Sequence, residues 1–151
     1  MAILASVLYD PAVAVTKSAA AVLAMTALDT VNLRLAFTAP ANGTVLVRIA
    51  GAVHGATTFP QILLGVLDGV TVRARVAPQA VIGGTAIATT IVAVEALFTV
   101  SGLTAGAALT WDAAYGVETL AAATGIKYGG PNNATANDAF GGFAFQIWGT
   151  S

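Results

Sequence analysis

His54 is the chain's single histidine, standing between Gly51 and Gly55. With Ser18 or Ser101 and an aspartate it has the residue types of a nucleophilic triad, in which imidazole takes the serine proton. No serine, however, lies in the Gly-x-Ser-x-Gly turn that exposes such a nucleophile. The seven carboxylates (Asp10, Asp29, Asp68, Glu95, Asp112, Glu118 and Asp138) show no paired spacing of the kind that divides acid and base roles in glycoside hydrolysis. The sequence therefore points to no catalytic residue and no enzyme.

Metal and ligand chemistry is equally sparse. There is no cysteine, which removes both disulfides and thiolate metal sites. Asn132, Asn133, Asn137 and Asp138 offer oxygen atoms of the type calcium takes, but with one carboxylate among them they read as an ordinary loop after Gly129-Gly130-Pro131. Gly83-Gly84 does not match a phosphate-binding fingerprint. Trp111, Tyr115, Tyr128 and Trp148 would make a sugar-stacking platform if exposed together; such side chains more commonly anchor a core or an interface. No cofactor is expected.

Composition limits the partners. Charged residues are 9% of the 151 positions and hydrophobic ones 57%, where a soluble domain carries charge at about a quarter of its residues. So few charges cannot cover an exterior, so part of the surface of a single copy is expected to be covered by partners. The six basic residues (Lys17, Arg34, Arg48, Arg73, Arg75 and Lys127) are scattered and the net charge is -1, which leaves no basic face for nucleic acid. The N-terminus has no basic region before its apolar run, which stops at Asp10-Pro11, so no secretory signal is expected. Residues 49–67 and 76–94 lack Lys, Arg, Asp and Glu and are long enough to cross a bilayer as helices. Pro60, Gly65, Pro78 and Gly83-Gly84 interrupt them, which argues against a lipid-exposed helix and a membrane partner.

The elements that would hold these residues read as strands. In 31–38, Val31, Leu33, Leu35 and Phe37 alternate with Asn32, Arg34, Ala36 and Thr38, the mark of a half-buried strand. Pro40, Asn42 and Gly43 supply a turn, and Val45, Val47 and Ile49 resume the alternation. Residues 62–67 run into Asp68-Gly69, a hairpin signal, followed by Val70, Val72, Ala74 and Val76 on one face. A long strand is expected over 87–100, another from Leu109 through Trp111, Ala113 and Tyr115, and a last one over 140–148. Short strands separated by Gly and Pro turns imply an antiparallel sandwich or barrel. The alanine-rich 18–28 segment could be helical by propensity; it reads here as an extended arm, so that 1–24 form an arm or leading strand and 25–151 the domain.

Two stretches carry a family resemblance. Phe37-Thr38-Ala39-Pro40-Ala41-Asn42-Gly43-Thr44-Val45-Leu46-Val47 resembles the "F-T-x-P-x-x-G-x-Y-x-F" segment of tumour-necrosis-factor-like and complement globular-head domains, with Val45 at the place of the usual aromatic residue. Phe140-Gly141-Gly142-Phe143-Ala144-Phe145 is similar to their closing "F-x-G-F" strand. The resemblance implies an antiparallel jelly roll that assembles as a homotrimer. The alanine-, glycine- and threonine-rich, cysteine-free composition and the segment Ser101-Gly102-Leu103-Thr104-Ala105-Gly106 also resemble tailed-phage virion proteins. That likeness implies a capsid decoration subunit bound to the major capsid protein on the virion surface and made in the host cytoplasm. The alternative is a tail-, fibre-tip or collar binding module that recognises a host glycan or protein.

One strand face supports assembly without the resemblance. Opposite Val92, Val94, Ala96, Phe98 and Val100, the long strand carries Ile91, Ala93, Glu95 and Leu97, too apolar for a solvated exterior. Ile91, Ala93, Leu97, Tyr115 and Trp148 are the expected oligomer-interface residues.

Overall fold

The computed structural model describes residues 1–18, 21–54, 61–82, 91–118, 125–130 and 141–150. Among them the chain forms strands and no helix: β1 (Ala2–Tyr9), β2 (Val15–Ser18), β3 (Met25–Ala27), β4 (Arg34–Thr38), β5 (Val45–His54), β6 (Ile62–Asp68), β7 (Thr71–Val76), β8 (Ala80–Ile82), β9 (Ile91–Val100), β10 (Ala108–Val117), β11 (Gly125–Tyr128) and β12 (Phe143–Gly149). Every pairing is antiparallel, and the strands divide into a seven-stranded and a five-stranded sheet packed as a sandwich.

β5 organises the larger sheet. One of its edges pairs with β9 along its whole length, from Val45↔Val100 to His54↔Ile91. Its other edge pairs first with β12 and, past the end of that strand, with β11 through His54↔Lys127. β1 flanks β12, β2 flanks β11, and β8 flanks β9. In the smaller sheet β10 pairs with β6 on one edge and with β4 and β3 in succession on the other, and β7 closes the far side of β6.

The alternation seen in sequence decides which side chains meet between the sheets. β9 alternates exposed and buried positions from end to end, with Ala96 fully buried and Val92 and Val94 nearly so. Val45, Val47 and Ile49 of β5, Phe143, Phe145 and Ile147 of β12, and Leu64 and Val66 of β6 fill the same core. Each such side chain contributes about 1.5–3 kcal/mol relative to exposure. Phe37 meets Trp111 edge-on at 4.8 Å, and Tyr128 meets Phe143 at 5.2 Å, the geometry that ring quadrupoles favour.

One sequence expectation changes. The strand expected over 31–38 starts at Arg34, because the Asp29 carboxylate accepts the N–H groups of Val31 and Asn32 at 2.8 Å and holds them in a turn. Val31 is therefore exposed rather than in line with Leu33. Burial pushes the Asp29 carboxyl up, but the hydrogen bonds from Asn32 and Val31 outweigh it and leave the group below its ordinary value. The strand expected over 87–100 is described from Ile91 onward, and 87–90 lie outside the described residues. The 18–28 segment contains no helix where it is described and includes β3.

The Pro40–Gly43 turn follows its residues. Gly43 has φ of 61°, and a Cβ there would lie 2.4 Å from the Leu103 carbonyl oxygen, so the position requires glycine on both counts. The Asn42 side chain accepts the Thr44 N–H at 3.0 Å and donates to Thr150, joining the turn to the end of β12.

Candidate interaction surface

The registers of β1, β12, β5 and β9 align the side chains that point away from the core. Ile3, Trp148, Leu46 and Thr99 form one row across the four strands. Ser6, Gln146, Arg48 and Leu97 form the next, followed by Leu8, Ala144, Ala50 and Glu95. Ala52 and Ala93 continue the surface toward Ile91. Because strand side chains alternate, every residue of these rows shares the outer face.

This face is apolar and open. Leu8 is 75% exposed, Ile3 58%, Leu97 47% and Ile91 40%. Its charged residues are Arg48 and Glu95, whose side chains pair with each other, while Arg48 also donates to the Gln146 side-chain oxygen at 3.3 Å. A half-exposed pair of this kind contributes about 0–1 kcal/mol. Trp148 is half-buried at the corner, and its indole N–H has no hydrogen-bond partner among the described residues.

The five-stranded sheet is built differently. β4, β6, β7 and β10 carry Arg34, Asp68, Arg73, Arg75 and Asp112. Arg34 donates to Asp112 through two parallel bonds, Nε to Oδ1 at 2.7 Å and Nη2 to Oδ2 at 2.8 Å. The bonds it donates to Asp112 raise the Arg34 guanidinium above its ordinary value, and Arg73 pairs with Asp68 at 2.7 Å. The strands β1, β12, β5 and β9 therefore share a broad apolar exterior with one charged pair, and the other charges of their sheet, Lys17 and Lys127, stand on β2 and β11.

Of the expected interface residues, Ile91, Ala93, Leu97 and Trp148 share this outer face. Tyr115 does not, and that expectation is corrected. It stands on β10 in the core, fully buried, and has no surface to offer a partner. Burial pushes its phenol up to about 12. The platform drawn from four aromatic residues also fails to assemble: Trp111, Tyr115 and Tyr128 are all fully buried, and the Tyr128 hydroxyl donates to the Leu28 carbonyl at 3.0 Å. Leu46, Ala50, Ala144, Ile3 and Leu8 belong to the face but were not singled out in sequence. The alternation of Ala144, Gln146 and Trp148 against Phe143, Phe145 and Ile147 is the signal that would have found the central part.

The residues with catalytic chemistry do not converge. His54 is 2% exposed, and its Nε2–H donates to the Gly129 carbonyl at 2.9 Å. Ser101 follows Val100, which pairs with the opposite end of β5, so a strand length of about 30 Å separates it from His54. Ser18 is exposed at the end of β2. Asn132, Asn133, Asn137 and Asp138 lie outside the described residues. Among the described residues no three His, Cys, Asp or Glu side chains group as metal ligands, and no helix is long and apolar enough to cross a membrane. A cavity of about 510 Å³ beside Leu4, Pro40, Ala41 and Asn42 has an apolar lining, and the Asn42 amide there is engaged by Thr44 and Thr150.

No family model, no curated protein and no solved structure matches the chain.

Proposed function

We propose that this chain is a non-enzymatic structural subunit: a jelly roll that assembles as a homotrimer through the outer face of β1, β12, β5 and β9. Its role in this reading is that of a capsid decoration protein, cementing the major capsid protein on the head surface of a tailed phage. The observation that carries it is the apolar outer face, open in a single copy and holding one mutually paired Arg48–Glu95. Burying such a face between copies releases water from Ile91, Leu97, Ala93 and Trp148, the main driving force of stable association.

The strand order supports the jelly-roll part. β1-β12-β5-β9 faces β4-β10-β6-β7, and the chain changes sheet between β2 and β3, β4 and β5, β5 and β6, β7 and β8, β9 and β10, and β10 and β11, a connectivity consistent with two interlocked Greek keys. The virion part rests on the resemblance of residues 37–47 and 140–145 and on the composition. The mechanism is buried area multiplied by valency: three copies on one symmetric body engage the shell together, and each contact raises the effective concentration of the next.

Counting copies per purified particle and adding the isolated protein to emptied heads tests the role. Stoichiometric, saturable binding to heads is the expected result. A few copies per particle together with binding to host cells would instead favour the tail- or fibre-tip reading.

A further inference from the structure

Asn42-Gly43 is the one Asn-Gly pair in the chain. An asparagine followed by glycine can be attacked at its side-chain amide carbon by the next backbone nitrogen, because glycine has no Cβ to block the approach. The other asparagines precede Leu33, Asn133, Ala134 and Asp138, whose side chains hinder it. Here the fold requires the reactive pair. Gly43 cannot carry a Cβ beside the Leu103 carbonyl, and the Asn42 amide joins the turn to the segment after β12.

The folded turn engages every atom the reaction would use. The Gly43 N–H donates to the Pro40 carbonyl at 2.9 Å. Asn42 Oδ1 accepts the Thr44 N–H at 3.0 Å, and Nδ2 donates to the Thr150 hydroxyl oxygen at 3.2 Å and to the Thr150 carbonyl. The Thr150 hydroxyl in turn donates to the Thr44 carbonyl at 3.0 Å. Bonds on both sides keep the amide from swinging toward the Gly43 nitrogen. Water is nevertheless at hand, since Asn42 is exposed and borders the cavity beside Leu4 and Pro40.

We propose that Asn42 is a modification site, where the side-chain amide becomes a carboxylate through the Gly43 nitrogen once Thr150 lifts from the turn. Hydroxide takes the Gly43 amide proton, the nitrogen bonds to Asn42 Cγ, and the Cγ–Nδ2 bond breaks. Ammonia leaves after taking a proton from water, which restores the hydroxide. Water then opens the cyclic imide at either carbonyl and leaves aspartate or isoaspartate at position 42. Nothing is oxidised or reduced, and water is the sole co-reactant. Both products put a carboxylate, which accepts but does not donate, where Nδ2 had donated to the Thr150 carbonyl. Two acceptors then face each other, so the tie is not remade and a transient opening becomes permanent. This inference goes beyond the proposed assembly and does not rest on it.

Peptide mapping of the full chain in mildly alkaline buffer, folded and in urea, tests it by following amide-to-acid conversion at each asparagine. Position 42 is expected to convert about tenfold or more faster in urea, the factor that a few net hydrogen bonds supply. Asn32, which precedes Leu33, is the internal reference and converts slowly in both states. Equal rates at position 42 overturn the gating, and no conversion there in urea overturns the site. Thr150→Val removes the hydroxyl that bonds both Asn42 and Thr44. It should raise the folded rate about two- to tenfold and leave the urea rate alone; an unchanged folded rate contradicts the role of Thr150. Asn42→Asp supplies one product directly. Hydrogen exchange at the Gly149 and Thr150 amides should be faster in it than in the wild type, and equal exchange contradicts the permanent release. These readouts are at single residues, apart from the chain mass by which assembly is judged.

Discussion

Two buried tyrosines separate burial from hydrogen bonding. Tyr128 and Tyr115 are both fully buried, but the Tyr128 hydroxyl donates to the Leu28 carbonyl whereas that of Tyr115 has no partner among the described residues. Tyr128→Phe leaves a buried carbonyl without its donor and should cost about 1–2 kcal/mol in urea unfolding, more than Tyr115→Phe. Alkali adds a second test. Burial raises the Tyr115 phenol to about 12 from an ordinary value of 10, and it also raises Tyr128. The folded state then holds these protons more tightly than the unfolded chain. Their contribution is complete below about pH 10 and is lost as pH rises toward about 12. Melts between those limits should show falling stability, less steeply for Tyr115→Phe. Asp29 works in the opposite direction: its lowered value gives stability that is present above the unfolded carboxylate range and lost on acidification. Asp29→Asn should flatten the acid limb of the stability curve.

At the scale of elements, the junction of β1 with β12 depends on close approach. A Cβ on Gly142 would lie within 3 Å of the Tyr9 carbonyl oxygen and the Asp10 Cα. Gly142→Ala should push the end of β1 off β12 and destabilise the chain by about 1–3 kcal/mol, with exchange of the β1 amides rising first. This junction also shows what the sequence could carry. Strict alternation made β9, β5 and β12 legible, because a half-buried strand writes its two faces into its residue order. β1 was harder to read, since Leu4 sits at a register shift and the alternation breaks there. The start of β4 was missed for a local reason: the Asp29 carboxylate captures two N–H groups and outweighs the apolar side chain of Val31. Tyr115 was misplaced because alternation separates two faces without saying which one looks inward. On β10 both are buried, with Trp111, Ala113 and Tyr115 toward the core and Asp112 and Ala114 covered on the other side.

At the scale of the whole molecule, the distribution of charge is the feature that needs an explanation. Five charged residues stand on the strands of the five-stranded sheet; in the larger sheet Lys17 and Lys127 stand on β2 and β11, while β1, β12, β5 and β9 together hold Arg48 and Glu95, paired with each other. Leaving Ile91, Leu97, Leu8 and Ile3 in water would forgo about 25 cal/mol for each Å² of apolar surface. A symmetric assembly recovers that term, and the single ion pair within the face can set which orientation of the neighbour fits. The most direct test is the molar mass of the wild-type chain by light scattering at low micromolar concentration, in ordinary salt. The account predicts three times the 15.0 kDa chain mass, or a whole multiple of that trimer. A monodisperse species of 15.0 kDa would contradict it.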